Sequence, residues 1–126
     1  MANLSKTTVG VDIIEIERIE QAVSAWQGSF LKRIYTEAEL ESCHSVIPSL
    51  AARFAAKEAT MKALGINSRG LNWRDIEVLS NNNGAPLVQL HGRAYKKAEE
   101  LGVTGISVSM SHSKQYAVAF VISDAI

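Results

Sequence analysis

The sequence predicts an α+β fold: one small domain over residues 1–126, with an antiparallel sheet packed on a long central helix. Three observations predict it. The 126 residues are 47% hydrophobic and 21% charged, enough for one modest core and too few for a second. The segment Leu50–Gly65 has a helical pattern and almost no polar face. The last two apolar runs, Ile106–Ser111 and Tyr116–Ile122, lie close enough in sequence to pair directly as antiparallel strands.

Thr7–Ile14 is rich in β-branched residues and reads as a strand. From Glu15 the period becomes helical, with Ile16, Ile19, Val23 and Trp26 on one stripe, and Gly28 is expected to end the run. Thr36 and Glu39 have the spacing of a capping box, which starts a short helix towards Ser45. Pro48 and Ser49 open a long helix to Leu64, and Gly65 is its C-terminal stop. Asn67–Asn72 carries loop signals. Asp75–Leu79 and Leu87–Leu90 are strands around Asn81-Asn82-Asn83-Gly84, a hairpin-type connection. Gly92–Leu101 is helical and Gly102 closes it. Ile106–Ser111 alternates apolar residues with serine, Lys114-Gln115 makes a turn, and Tyr116–Ile122 is the final strand.

Thirteen Lys and Arg balance thirteen Asp and Glu. That excludes nucleic-acid or membrane binding driven by overall charge and leaves room for a local basic site. Cys43 is the lone cysteine, so an internal disulfide and a multi-cysteine zinc site are excluded, and a reduced, cytoplasmic setting is expected. Asp12 and Glu15 break the first apolar run, so no secretory segment is expected, and no apolar stretch is long enough to span a membrane.

At about 100° per residue, Leu50, Phe54, Met61 and Leu64 form one apolar stripe of the long helix. Six alanines, Ala51, Ala52, Ala55, Ala56, Ala59 and Ala63, cover most of the opposite side. Lys57 falls inside the apolar stripe, where an ammonium must snorkel to water or meet an anion. Glu58 lies beside it and Lys62 one turn on. In an ordinary helix, Glu58 and Lys62 are a surface pair worth ~0.3 kcal/mol. With alanine backing, the alternative is a buried acidic ligand flanked by cations, suited to a metal and a phosphorylated substrate.

Asp12 interrupts the strand V-G-V-D-I-I, and Gly10 leaves space for a backbone or ligand to approach. Asp12 caps the following helix, faces solvent, or joins Glu58 as the second carboxylate of a hard divalent cation. His112 follows Ile106, Val108 and Met110 on one period-2 face, and a lone histidine at a strand end is more often structural than catalytic. A hydrolase nucleophile elbow is not present, because Gly105-Ile106-Ser107-Val108-Ser109 lacks its second glycine.

Three segments together resemble one family: G-V-D-I-I-E-I-E-R-I (Gly10–Ile19), R-F-A-A-K-E-A-T-M-K-A-L-G (Arg53–Gly65) and S-M-S-H-S-K-Q-Y-A (Ser109–Ala117). The resemblance is to the holo-[acyl-carrier-protein] synthase type of 4'-phosphopantetheinyl transferase. Asn83-Gly84-Ala85-Pro86 also looks like that family's turn before its next strand. The resemblance spans nearly the whole chain, in order.

The resemblance implies a 4'-phosphopantetheinyl transferase-like fold and an enzyme of fatty acid biosynthesis and lipid metabolism. It implies that the phosphopantetheine arm of coenzyme A moves to a serine of an apo acyl carrier protein, releasing adenosine 3',5'-bisphosphate. A homotrimer with an active site at each subunit interface is implied too. By the same resemblance, Asp12 and Glu58 hold Mg²⁺. Lys57 and Lys62 match basic positions near the phosphates, Lys62 at the pyrophosphate. Arg53 matches a position near the 3'-phosphate, and His112 one that touches phosphate. The nucleophile is the carrier's serine, and Glu58, directly or through metal-bound water, is the favoured proton acceptor.

Arg18 and Arg33 match basic positions expected to meet acidic residues of the carrier protein. Glu15, Glu17 and Glu20 share the first helix with Arg18, so this docking surface is less positive than the family pattern. Arg69, in the loop I-N-S-R-G-L-N, either meets coenzyme A or is solvated. Two rival functions use the same residues: a metal-dependent diphosphate hydrolase with water as nucleophile, and a non-catalytic module that binds coenzyme A or the carrier.

Overall fold

The computed structural model describes residues 5–126. The first strand, β1 (Lys6–Glu15), leads into helix α1 (Ile16–Ile34). Two more helices follow, α2 (Glu37–Cys43) and α3 (Ile47–Leu64). A 3-10 turn at Trp73–Asp75 precedes β2 (Ile76–Ser80) and β3 (Pro86–Leu90). The chain ends with α4 (Gly92–Glu100), β4 (Val103–His112) and β5 (Tyr116–Ala125). The α+β reading holds, with the strands divided between two antiparallel sheets. One is three-stranded in the order β1-β5-β4, and the other is the β2-β3 hairpin.

The final strand is central in its sheet. It joins the two ends of the chain, with Gly10 opposite Val121 and Asp12 opposite Ala119 on one side, and Met110 opposite Ala119 on the other. Because side chains alternate across a strand, Gly10, Asp12 and Ile14 share the face turned to α3. Their neighbours Val9, Val11 and Ile13 face outward, 58%, 52% and 64% exposed.

The long helix α3 is buried nearly all round, as the alanine pattern required. All six alanines are buried with Leu50, Met61 and Leu64, and Gly65 caps the helix at φ 68°. Phe54 departs from the expected stripe. It is only partly buried and stacks on Trp73, ring centroids 5.0 Å apart and planes at 18°. Thr36 closes its capping box with Glu39 in both directions.

Gly28 does not end α1, which continues to Ile34. The physical reason is that Phe30, Leu31 and Ile34 carry the apolar stripe on into the core. Their burial outweighs the ~1 kcal/mol that a mid-helix glycine costs.

Candidate functional site between strand β1 and helix α3

Small side chains decide how close β1 and α3 come. A Cβ built on Gly10 would lie 1.9 Å from the carbonyl oxygen of Ala59 and 2.8 Å from the nitrogen of Ala63. The glycine thus admits the backbone of α3, one of the two uses its place in the sequence allowed. Thr8 adds a tie, its hydroxyl donating to the Ala63 carbonyl at 2.7 Å. This contact carries Asp12, two residues along β1, up to Glu58 and Lys62 on the facing side of α3.

The Lys62 ammonium donates to the Val11 carbonyl at 2.9 Å and to Asp12 Oδ1 at 3.3 Å, and remains half exposed. Glu58 is partly buried. Burial and then the negative charge of Asp12 push its carboxyl above the ordinary range, against the opposing charges of Lys62 and Arg18. Two carboxylates, two cations and an open side therefore meet here. The Glu58–Lys62 surface-pair reading does not describe this place, since Lys62 turns to β1 for its partners.

The donor set fits a hard divalent cation. Glu58 is held back from ionising partly by Asp12, so a cation between them relieves that repulsion. Among the described residues no three His, Cys, Asp or Glu side chains cluster as a metal cage. Two carboxylates without a cage suit Mg²⁺, which completes its shell with water and phosphate oxygens.

Lys57 is placed elsewhere, and the expectation that it meets phosphate is corrected. One residue before Glu58 is about 100° around the helix, and that turn sends Lys57 into the interior. Its ammonium is fully buried and donates to Glu39 Oε1 at 2.8 Å, to the Trp73 carbonyl at 3.2 Å and to the Ile76 carbonyl. Three hydrogens meet three acceptors, which leaves none for a substrate. Burial lowers the Lys57 pKa, and the Glu39 charge and hydrogen bond oppose that fall. Glu39 also accepts from the backbone nitrogens of Thr36 and Val78, tying α2, α3 and β2 together.

Arg53 lies one turn before Lys57 on this same face. It is 7% exposed and donates to the Val78 carbonyl at 3.3 Å and to the Ser42 and Ser80 hydroxyls at 3.4 Å. Among the described residues no carboxylate pairs with it. Arg53 is thus a buried guanidinium with neutral partners, apart from the Asp12–Glu58–Lys62 group.

His112 is exposed at the end of β4, in register with Ala117, which pairs with Ile14. Two strand spacings, about 10 Å, separate it from β1, so one chain does not bring it to the carboxylates. Arg18 is exposed at the start of α1, near enough to act on Glu58, and Arg33 is exposed at the far end of α1.

Residues 8–121 match the family model of the 4'-phosphopantetheinyl transferase superfamily. The chain belongs to that superfamily. The holo-[acyl-carrier-protein] synthase of Herpetosiphon aurantiacus is 51% identical to this transferase over 120 residues, covering 90% of this chain and 94% of the relative. The enzyme of the same name from Dehalococcoides mccartyi is 50% identical over 114 residues, covering 90% and 95%. Among solved structures, the Helicobacter pylori synthase in complex with coenzyme A superposes with a TM-score of 0.83 at 33% identity, covering 91% of this chain and 98% of that one. The ACPS–CoA complex of Chronobacterium ammoniagenes gives 0.86 at 30% identity, covering 96% and 98%.

The transferase's sequence points to Asp12, Glu58 and Lys62 as a group. It does not point to Glu39 as the counter-ion of Lys57. Glu39 reads as a capping residue, and nothing local says that its carboxylate also reaches α3 and β2.

Proposed function

We propose that this phosphopantetheinyl transferase moves the phosphopantetheine arm of coenzyme A to a serine of an apo acyl carrier protein, with Asp12 and Glu58 holding Mg²⁺. The observation that carries this reading is the meeting of Asp12, Glu58 and Lys62 across the β1–α3 contact in a chain of this superfamily. When bound, Mg²⁺ supplies charge neutralisation for the pyrophosphate and polarises the phosphoryl group under attack.

The chain's own residues do the rest. Lys62 is oriented by the Val11 carbonyl and Asp12, and its open side offers a donor to the pyrophosphate. Glu58 accepts the serine proton, a role that its raised carboxyl supports. Arg53 is the cation for the 3'-phosphate, its guanidinium held in place by Val78, Ser42 and Ser80.

The homotrimer belongs to the same proposal. Val9, Val11, Ile13 and the 44% exposed Phe120 make the outer face of the three-stranded sheet apolar, and burying it against other copies removes it from water. A site shared between copies also gives His112 a place, since its own chain holds it about 10 Å from β1. A single domain over the chain carries the activity, in the cytoplasm and for fatty acid biosynthesis. The buried free thiol of Cys43 supports a reducing setting, and among the described residues no helix is long and apolar enough to cross a membrane.

Intact-protein mass spectrometry tests the reading. An apo acyl carrier protein incubated with this protein, coenzyme A and Mg²⁺ gains one phosphopantetheine, and a chelator abolishes the gain. Coenzyme A consumed with no gain on the carrier would instead establish the diphosphate hydrolase. Binding of coenzyme A with neither result would leave a non-catalytic module.

A further inference from the structure

The charge of α1 is divided along its length. Its first turns carry Glu17 and Glu20, which with Glu15 and Lys114 line one hollow. Its last turn carries Lys32 and Arg33. The positive end of α1 abuts the loop after α3. Arg33, Arg69 and Trp73 line a hollow of about 360 Å³ there. A second hollow of about 350 Å³ shares Arg69, Gly70 and Leu71 with the first and adds Arg93 and Lys97 from α4. No carboxylate lines either one. In a chain of zero formal net charge, four cations on three elements without an acid among them make a local basic track.

The loop is held in place. Gly70 adopts φ 70°, and Arg93 Nη1 donates to its carbonyl at 2.9 Å. Asn67 Oδ1 accepts from the Arg69 nitrogen at 2.9 Å. The side chains of Arg69 and Lys97 make no hydrogen bond or ion pair among the described residues, so both are free to meet a partner.

We propose that a carboxylate-rich face of the carrier protein docks along this track, from Arg33, which the family pattern names, across Arg69 to Arg93 and Lys97, which it does not. The proposal rests on the transferase reading. The cations are spread over α1, the 66–72 loop and α4 rather than converging on one point, which fits a row of carboxylates better than a single phosphate. The carboxyl end of α3, whose Met61 and Lys62 carbonyls face this loop, also disfavours a small anion held deep in the hollow. The track compensates for the acidic first turns of α1.

Steady-state transfer kinetics with Arg69→Glu and Lys97→Glu test it, beside Lys96→Glu as a control for net charge that lies outside the hollows. The expected result is a rise of about fivefold or more in KM for the apo carrier, weakening at high salt, with kcat and KM for coenzyme A unchanged. The control stays near the parent. An unchanged carrier KM in both variants would overturn the docking track while parental transfer still stands. A rise in KM for coenzyme A instead would also overturn it, by making the hollow a nucleotide site. No transfer by the parent protein would remove the transferase reading and the track with it.

Discussion

Gly10→Ala tests the contact on which the whole site is built. The new methyl would sit 1.9 Å from the Ala59 carbonyl oxygen, where ordinary van der Waals contact begins at 3.4 Å, so β1 and α3 must part by about 1.5 Å. Both obstacles, Ala59 oxygen and Ala63 nitrogen, are backbone of a helix buried nearly all round, and neither moves aside alone. Overpacking costs about 1–3 kcal/mol where side chains can yield, so a clash with backbone on both sides costs about 3 kcal/mol or more. At about 2.1 cal/mol/K per residue, that lowers the melting temperature of a chain this size by about 11 °C. The separation also draws Asp12 away from Glu58 and Lys62, so KM for Mg²⁺ rises even in the fraction that folds. Urea denaturation at fixed protein concentration, with transfer assayed over a Mg²⁺ series, reads both effects. A Gly10→Ala protein within about 0.5 kcal/mol of the parent, with an unchanged Mg²⁺ dependence, would refute the packing argument and the placement of Asp12 that depends on it.

Three further outcomes are expected. Glu58→Gln abolishes transfer yet stabilises the metal-free protein at neutral pH. The raised Glu58 carboxyl costs nothing below its unfolded pKa of about 4.3 and destabilises as pH rises through its folded pKa; denaturation midpoints that show no gain at pH 7 over pH 4 would sink this. Lys57→Met strips the buried Glu39 of its counter-ion and costs about 3–5 kcal/mol. Adding Glu39→Gln recovers part of the loss, and KM for coenzyme A in the folded double variant stays unchanged, whereas a rise would return Lys57 to the phosphates. Ile13→Lys on the outer sheet face shifts the protein to monomers in analytical ultracentrifugation, and an unaltered mass would free that face from any role in assembly.

Much of this architecture is written in local pattern. The capping box at Thr36, the glycine stop at Gly65 and the alanine-backed helix between Leu50 and Leu64 each depend on neighbours in sequence, so the sequence determines them by itself. The same holds for Asp12, Glu58 and Lys62 as candidates, because a charge placed where a strand or buried helix has no use for one stands out. Tertiary structure decided what those charges touch. Lys57 and Glu58 are adjacent in sequence, but the turn of the helix sends one to a buried partner eighteen residues away and the other to Asp12 on β1. Gly28 would end an isolated helix, and only the core beneath Phe30 and Ile34 carries α1 past it. Glu39 reads locally as a cap, and its second role exists only because α3 and β2 are packed against it. Sequence pattern records the demand for a partner; long-range packing, which brings together groups far apart in the chain, settles which one answers.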